Sequence, residues 1–383
     1  MAAAIRPVLA DRTRTLREEI EALAAERPEA PAWIVGDAEA HAPVWTLADI
    51  AGLAHRYARF AIVAGAAADQ GRRGARVAVV MPAGPQRTAA LLGLAMAGAA
   101  AAPVPETATP DALGRWLTAL AAPHVLLAPA WLDGFEAAVP HLRSPAQVWV
   151  DGTPHLAYMR IDEALAGFSE TPLERLDRRP LRPDTTALVV PCGPVEAPAA
   201  VRISHRRVLA LGHALATGLD LADGDRLALP PGASALDTLV AALAVWTAGG
   251  AIAEPVGSED LAIQPAAPRP LRRDRWHLPL IDGLPLIGRG EAEGALGRPP
   301  RPSLPVSPFA CRLALRPAGE GQITIAERLD DKGAKRILHA GAAITGDQWL
   351  LTGPNAHLSP DGAWEPSVPS DLAPPPRRNA VPP

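Results

Sequence analysis

The sequence predicts an α/β protein in which parallel sheets are flanked by helices. Three observations predict it: short apolar runs rich in branched residues, helical stretches that alternate with those runs, and Gly or Pro at the junctions. A parallel strand is covered on both faces, so it reads as a continuous apolar run rather than an alternating one. Arg76-Val77-Ala78-Val79-Val80-Met81 is such a run, closed by Pro82.

The other elements follow in order. Residues 14–26 carry Leu16, Ile20 and Leu23 at helical spacing and predict an amphipathic helix. Trp45-Thr46-Leu47 opens a second helical stretch that carries Ile50, Leu53 and Ala54 toward Phe60. After the 76–81 strand, a helix from about Pro85 to Ala97 stops at Gly98, and an Ala-rich strand leads to Pro103. A helix over 111–121 precedes the strand His124-Val125-Leu126-Leu127. A polar linker at 169–183 separates this half from the next. There, Ala187–Val190 reads as a buried strand, followed by a turn bearing Gly and Pro and a helix over 204–217. A strand at 226–229, a helix over 236–247 stopped by Gly249-Gly250, and a strand at 251–253 complete the pattern. Strand–helix–strand succession of this kind implies parallel crossovers.

From about Gly257 the character changes, because prolines and arginines interrupt the chain repeatedly. Short β-like runs at 311–315 and 322–326 point to a small, irregular β-rich subdomain. The expected organisation is a first α/β lobe over 1–175 and a second over 176–256. The β-rich part then runs over 257–365, and a Pro-rich tail over 366–383.

Composition narrows the function. The chain has 383 residues, 48% of them hydrophobic, which suits a folded body rather than a disordered one. A net charge of −4 gives no electrostatic reason to expect nucleic acid as a partner. Cys192 and Cys311, the two cysteines, make neither a disulfide framework nor a zinc site, and the ten histidines show no metal spacing. The first residues lack an apolar core with a cleavage site, and the apolar stretch 91–103 is too short to span a bilayer. The expected location is cytoplasmic, with no membrane insertion. Only Lys332 and Lys335 stand among 37 basic residues, the signature of a GC-rich bacterial genome. Gly232-Ala233-Ser234-Ala235-Leu236 lacks the last glycine of a nucleophile elbow, and Gly288, Gly290 and Gly294 open no helix, so neither marks a catalytic or dinucleotide site.

Three segments carry a family resemblance. RGARVAVVMPAGPQRTAALLGLAMAGAAAAPVP at 73–105 is a strand, Pro turn, helix and strand. PCGPVEAPAAV at 191–201, followed by Arg202, Ile203, Ser204 and His205, lies between a strand and a helix. DQWLLTGPNAHLSPDGAW at 347–364 is the third. In this order they resemble the N-terminal domain of the adenylate-forming superfamily of acyl-CoA synthetases, peptide-synthetase adenylation domains and luciferases. In the second segment Gly193, Pro198, Val201, Ser204 and His205 agree with that family's phosphate-cradling loop. In the third, Trp349, Thr352, Gly353, Asp361 and Gly362 agree with its ribose-binding segment.

The resemblance implies chemistry that the departures then remove. A triphosphate loop needs small residues so that backbone N–H groups approach the oxygens, hydroxyl donors, and a cation. The positions implied to carry hydroxyls are Pro191, Cys192, Pro194 and Val195; the second loop glycine is Glu196 and the loop lysine is Ala199. The implied ribose-binding aspartate is Pro354. The adenine-side aromatic-Gly-x-Thr-Glu run is not found between Ala253 and Gly346, and the family's C-terminal lid with its lysine is expected to be missing. Cys192, Gly193, Pro198, Val201, Thr352 and Gly353 therefore read as vestiges of a nucleotide site, with no catalytic residue and no metal ligand among them.

The expected function is a degenerate acyl-CoA synthetase homologue, catalytically inactive, that works as a partner or scaffold for an unidentified protein. Trp276 and Trp364, beside Pro-rich stretches, are the candidate contact residues. Two alternatives stay open: a ligase-like enzyme with reduced or altered activity on a carboxylic acid, using ATP/Mg and CoA, and an unrelated α/β binding protein.

Overall fold

The computed structural model describes residues 14–35, 43–68, 74–104, 109–142, 145–152, 157–175, 177–178, 180–192, 199–219, 221–229 and 233–253. Beyond these it describes the backbone of strands within 261–366. The chain divides into two compact units, residues 1–288 with 306–308, and residues 289–305 with 309–383.

The first unit opens with α1 (Leu16–Glu26), β1 (Pro31–Ile34), β2 (Val44–Thr46) and α2 (Leu47–Val63). Next come β3 (Arg76–Val80), α3 (Pro85–Met96), β4 (Ala100–Pro103), α4 (Pro110–Leu120), β5 (His124–Leu127) and α5 (Leu132–Ala138). The chain continues through β6 (Gln147–Val150), β7 (Met159–Arg160), α6 (Ile161–Ala166), β8 (Thr186–Cys192), β9 (Ala199–Ser204) and α7 (His205–Leu219). It then adds β10 (Arg226–Ala228), α8 (Ala235–Ala248), β11 (Ala251–Ala253), β12 (Leu261–Gln264), β13 (Arg275–Trp276), β14 (Leu280–Ile281) and β15 (Leu284–Pro285).

A seven-stranded sheet runs in the order β7-β6-β5-β3-β4-β8-β9, parallel except at the β8–β9 edge. Its centre is the predicted one. Val77, Val79, Val125, Leu126, Leu188 and Val189 are all buried, because helices cover both faces. A six-stranded sheet runs β13-β12-β10-β11-β1-β2, parallel through β10, β11 and β1 and antiparallel at both margins.

Each sheet draws strands from either side of residue 175. β1 and β2 pair into the later sheet, and β8 and β9 into the earlier one, so the expected lobe boundary at 175/176 follows neither. Long crossovers allow this, since a parallel neighbour can arrive from any distance along the chain. The strands β12 and β13, expected in the β-rich part, extend the six-stranded sheet of the first unit. β12 pairs antiparallel with β10 across the intervening α8 and β11, and β13 pairs antiparallel with β12. In the second unit β16 (Ala310–Gly319), β17 (Gln322–Leu329), β18 (Trp349–Leu358) and β19 (Trp364–Pro366) form an antiparallel meander. Residues 367–383, expected as a tail, lie outside the described residues.

The helices start where their caps dictate. Thr15 accepts from the Glu18 amide while Glu18 reaches back to the Thr15 amide, and Thr46 with Asp49 does the same for α2. α8 is buried from Ala235 to Trp246 on every side, as befits a helix between layers. α2 and α3 meet at Gly93, where an added Cβ would lie 2.2 Å from the Ala54 carbonyl oxygen. Among the described residues no helix is long and apolar enough to cross a membrane.

Candidate functional site

The two ends of the segment that resembles a phosphate loop lie in the antiparallel β8–β9 ladder. Val190 pairs with Val201, Pro191 with Ala200 and Cys192 with Ala199. Cys192 and Val201 are thus ladder residues. Gly193 and Pro198, with Pro194, Val195 and Glu196, lie outside the described residues. The stretch read from sequence as a turn leading straight to a helix contains the whole strand β9. A six-residue edge strand with Arg202 inside it lacks the continuous apolar character that marks a buried one.

Tested against a magnesium-bound nucleotide, this hairpin is a poor fit. Pro191 has no N–H to offer, and the Cys192–Ala199 pair closes the ladder where the resemblance requires a lysine. Among the described residues, no group of three or more His, Cys, Asp or Glu could hold a metal ion.

Thr352 and Gly353 belong to β18 in the second unit. Thr324 pairs with Asn355 and Ile325 with Thr352, so Gly353 and Pro354 fall in the irregularity between them. Trp276 pairs with Leu261 across β13–β12, and Trp364 with Leu358 across β19–β18. The residues that carry the resemblance are therefore divided between the two units.

The retained pair Ser204-His205 has a structural explanation. Ser204 ends β9, and its Oγ accepts from the Arg207 amide at 3.4 Å, in the first turn of α7. His205 is wholly buried, its N–H donates to Thr185 O, and its Nδ1 accepts from the Leu16 N–H at 3.3 Å. Burial, with the Arg17 charge nearby, pushes the imidazole down to about 3, so it is neutral. With Nδ1 accepting, the proton sits on Nε2. His213, eight residues on, is also buried, with Nε2 4.0 Å from Glu19.

Sequence reasoning missed Asp237. It lies in the first turn of α8, almost fully buried, and burial pushes its carboxyl up to about 7 against two stabilising hydrogen bonds from Ser234. Ser234, the serine of the incomplete elbow, is the N-cap of this helix. The S-x-x-D spacing at 234–237 was the available signal.

No family model matches the chain, and no curated protein matches it. Solved structures match by fold. A fatty acyl CoA synthetase of Mycobacterium tuberculosis aligns with a TM-score of 0.63 at 15% identity, over 91% of this chain and 77% of that one. The N-terminal domain of FACL13 from Mycobacterium tuberculosis aligns at 0.52 and 18%, over 63% of this chain and 57% of that one. Acetoacetyl-CoA synthetase from Streptomyces lividans aligns at 0.52 and 18%, over 64% and 39%. The chain thus spans little more than half the length of the FACL13 structure. The predicted α/β architecture agrees with these likenesses: the chain has the fold of the AMP-binding, adenylate-forming ligases.

Proposed function

We propose that this chain is a degenerate acyl-CoA synthetase homologue that makes no acyl-adenylate and serves as a partner or scaffold protein. The observation that carries the reading is the β8–β9 ladder, in which Pro191 and Cys192 pair with Ala200 and Ala199. Adenylation rests on electrostatic stabilisation of phosphoryl charge, and losing one preorganised donor costs about 3–4 kcal/mol. Here the hydroxyls, the loop glycine and the lysine are all replaced.

The test is pyrophosphate release with a panel of aliphatic and aryl carboxylic acids, alongside a thermal shift with Mg-ATP. The expected result is no turnover and no saturable shift. A ligand at about 100 times its Kd would stabilise the native state by about 2.7 kcal/mol, well within detection. Saturable binding with acid-dependent pyrophosphate release would favour the ligase with altered activity. Affinity capture from the host should return one stoichiometric partner, and a chain that stays alone would count against the scaffold role.

A further inference from the structure

α1 engages the ends of three other helices. Arg17, buried, donates through Nε to the carbonyl of Met96, the last residue of α3, at 2.9 Å. Arg27 donates through Nη2 to the Trp246 carbonyl in the last turn of α8 at 2.7 Å. The Leu16 N–H donates to His205 Nδ1 at the first residue of α7. Helix ends leave carbonyls and amides unpaired, and a cation on a C-terminal carbonyl also meets the negative end of the helix dipole. α3 is a crossover of the seven-stranded sheet and α8 of the six-stranded one, so this single helix ties the two together.

The fastening at His205 depends on the protonation state of one side chain. Its only basic nitrogen is the one that accepts from Leu16, and its Nε2 has no hydrogen-bond partner among the described residues. A second proton can therefore enter only at Nδ1. There it replaces the acceptor lone pair with a donor facing the Leu16 N–H, beside the Arg17 guanidinium. We propose that α1 is an acid-released latch: protonation of His205 breaks its bond to Leu16 and undocks α1 while both sheets stay folded.

The groups around this contact act in both directions. On α1, Arg17 opposes protonation of His205. Arg14 is paired with Glu19 at 2.7 Å, and Glu19 also approaches His213 of α7. His213 and His55 of α2 are held neutral by burial, so both resist acid in the same sense as His205. Glu21, paired with Arg178 of the linker at 3.0 Å, works the other way, since burial raises its carboxyl. Glu18 is tied up in the capping box with Thr15. Once undocked, the 11 residues of α1 are too few to remain helical alone, so release becomes visible as amide exchange.

Hydrogen exchange of the full chain at pH about 7 and about 4.5, corrected for the intrinsic rate, tests the latch. At about 4.5 a His205 freed from its contact gains a proton that the docked one resists. Residues 16–26 should lose roughly 100-fold in protection while 77–96 and 235–252 keep theirs. His205→Gln can still accept from Leu16 but cannot take up the proton, so it should abolish most of that loss. Constant protection of α1, loss together with both sheets, or an equal loss in the variant would each overturn the proposal. If His205→Gln does not fold, NMR titration of the unaltered chain decides. The His205 imidazole must then change over the same pH range as α1 exchange, and a separate range overturns the latch.

Discussion

Ser234 and Asp237 close the first turn of α8 on each other: the serine hydroxyl donates to the carboxylate Oδ2 at 2.7 Å and accepts from the Asp237 amide at 3.1 Å. The other carboxyl oxygen, Oδ1, is buried without a hydrogen-bond partner among the described residues. A buried carboxyl in this position resists ionisation, and the pH dependence follows from that. In the unfolded chain it loses its proton near 3.8, in the folded chain near 7. Between these values the folded state holds more protons, so stability falls as pH rises and levels off above about 7.

Asp237→Asn should remove that slope. The shift corresponds to about 4 kcal/mol, and an unpaired buried amide returns about 1–3 kcal/mol of it as a cost. A net gain of about 1–3 kcal/mol at pH about 8, with none or a loss at about 4, is expected in urea unfolding. A variant destabilised equally at both pH values would show that the carboxyl is ionised and paired.

His55 works in the opposite sense. It is buried in α2 with its imidazole held down to about 4, by burial first and then by the charges of Arg59, Arg178 and Arg17. Its contribution is complete above about 6.5 and is lost as pH falls toward 4, because the unfolded chain takes up the proton first. His55→Gln should flatten the acid limb of the stability profile without moving the alkaline one.

Gly93 leaves no room for a side chain. A Cβ there would meet the Ala54 oxygen at 2.2 Å and Tyr57 Cβ at 2.6 Å, both on α2. The helix itself would welcome alanine, by about 1 kcal/mol. Overpacking against backbone should outweigh this, so Gly93→Ala is expected to lose about 2–3 kcal/mol and several degrees of Tm in a thermal scan.

Arg59 pins the linker that follows α6. Its guanidinium donates to the carbonyls of Ser169, Thr171 and Pro172 at 2.9, 2.7 and 3.2 Å. Arg59→Ala should raise the rate of limited proteolysis within 169–178 several-fold while leaving Tm nearly unchanged, since the contacts are exposed.

The elements legible in the sequence are those whose burial is continuous. Val77–Val80, His124–Leu127 and residues 236–246 of α8 announce themselves because every residue along them is covered. Pro31–Ile34 and Gln147–Val150 do not, since the exposed Pro31 and the half-buried Gln147 and Trp149 interrupt the apolar run. Pairing is less legible still, because it depends on where a crossover lands. At the candidate site, Pro191, Cys192 and Ala199 could be read directly as residues that offer neither a hydroxyl nor a lysine. The burial of Asp237 could not, because an aspartate in a first turn is ordinarily a solvated cap. Only the stacking of layers over α8 makes it something else.

The pairing of β1 with β11 has a consequence for how the chain is made. Trp33 finds Ile252 as its partner, and Ile34 finds Ala253, so the six-stranded sheet waits for more than two hundred residues to leave the ribosome. At about 5–20 residues per second that interval is on the order of 10–40 s. During it the nascent chain presents Ala32, Trp33 and Ile34, all buried in the finished molecule, to whatever is near. Long-range parallel pairing of this kind is slow to form and prone to aggregation meanwhile. A ribosome that stalls before Ala251 leaves β1 with β2 alone for company, and its product belongs to chaperones and proteases rather than to the folded pool.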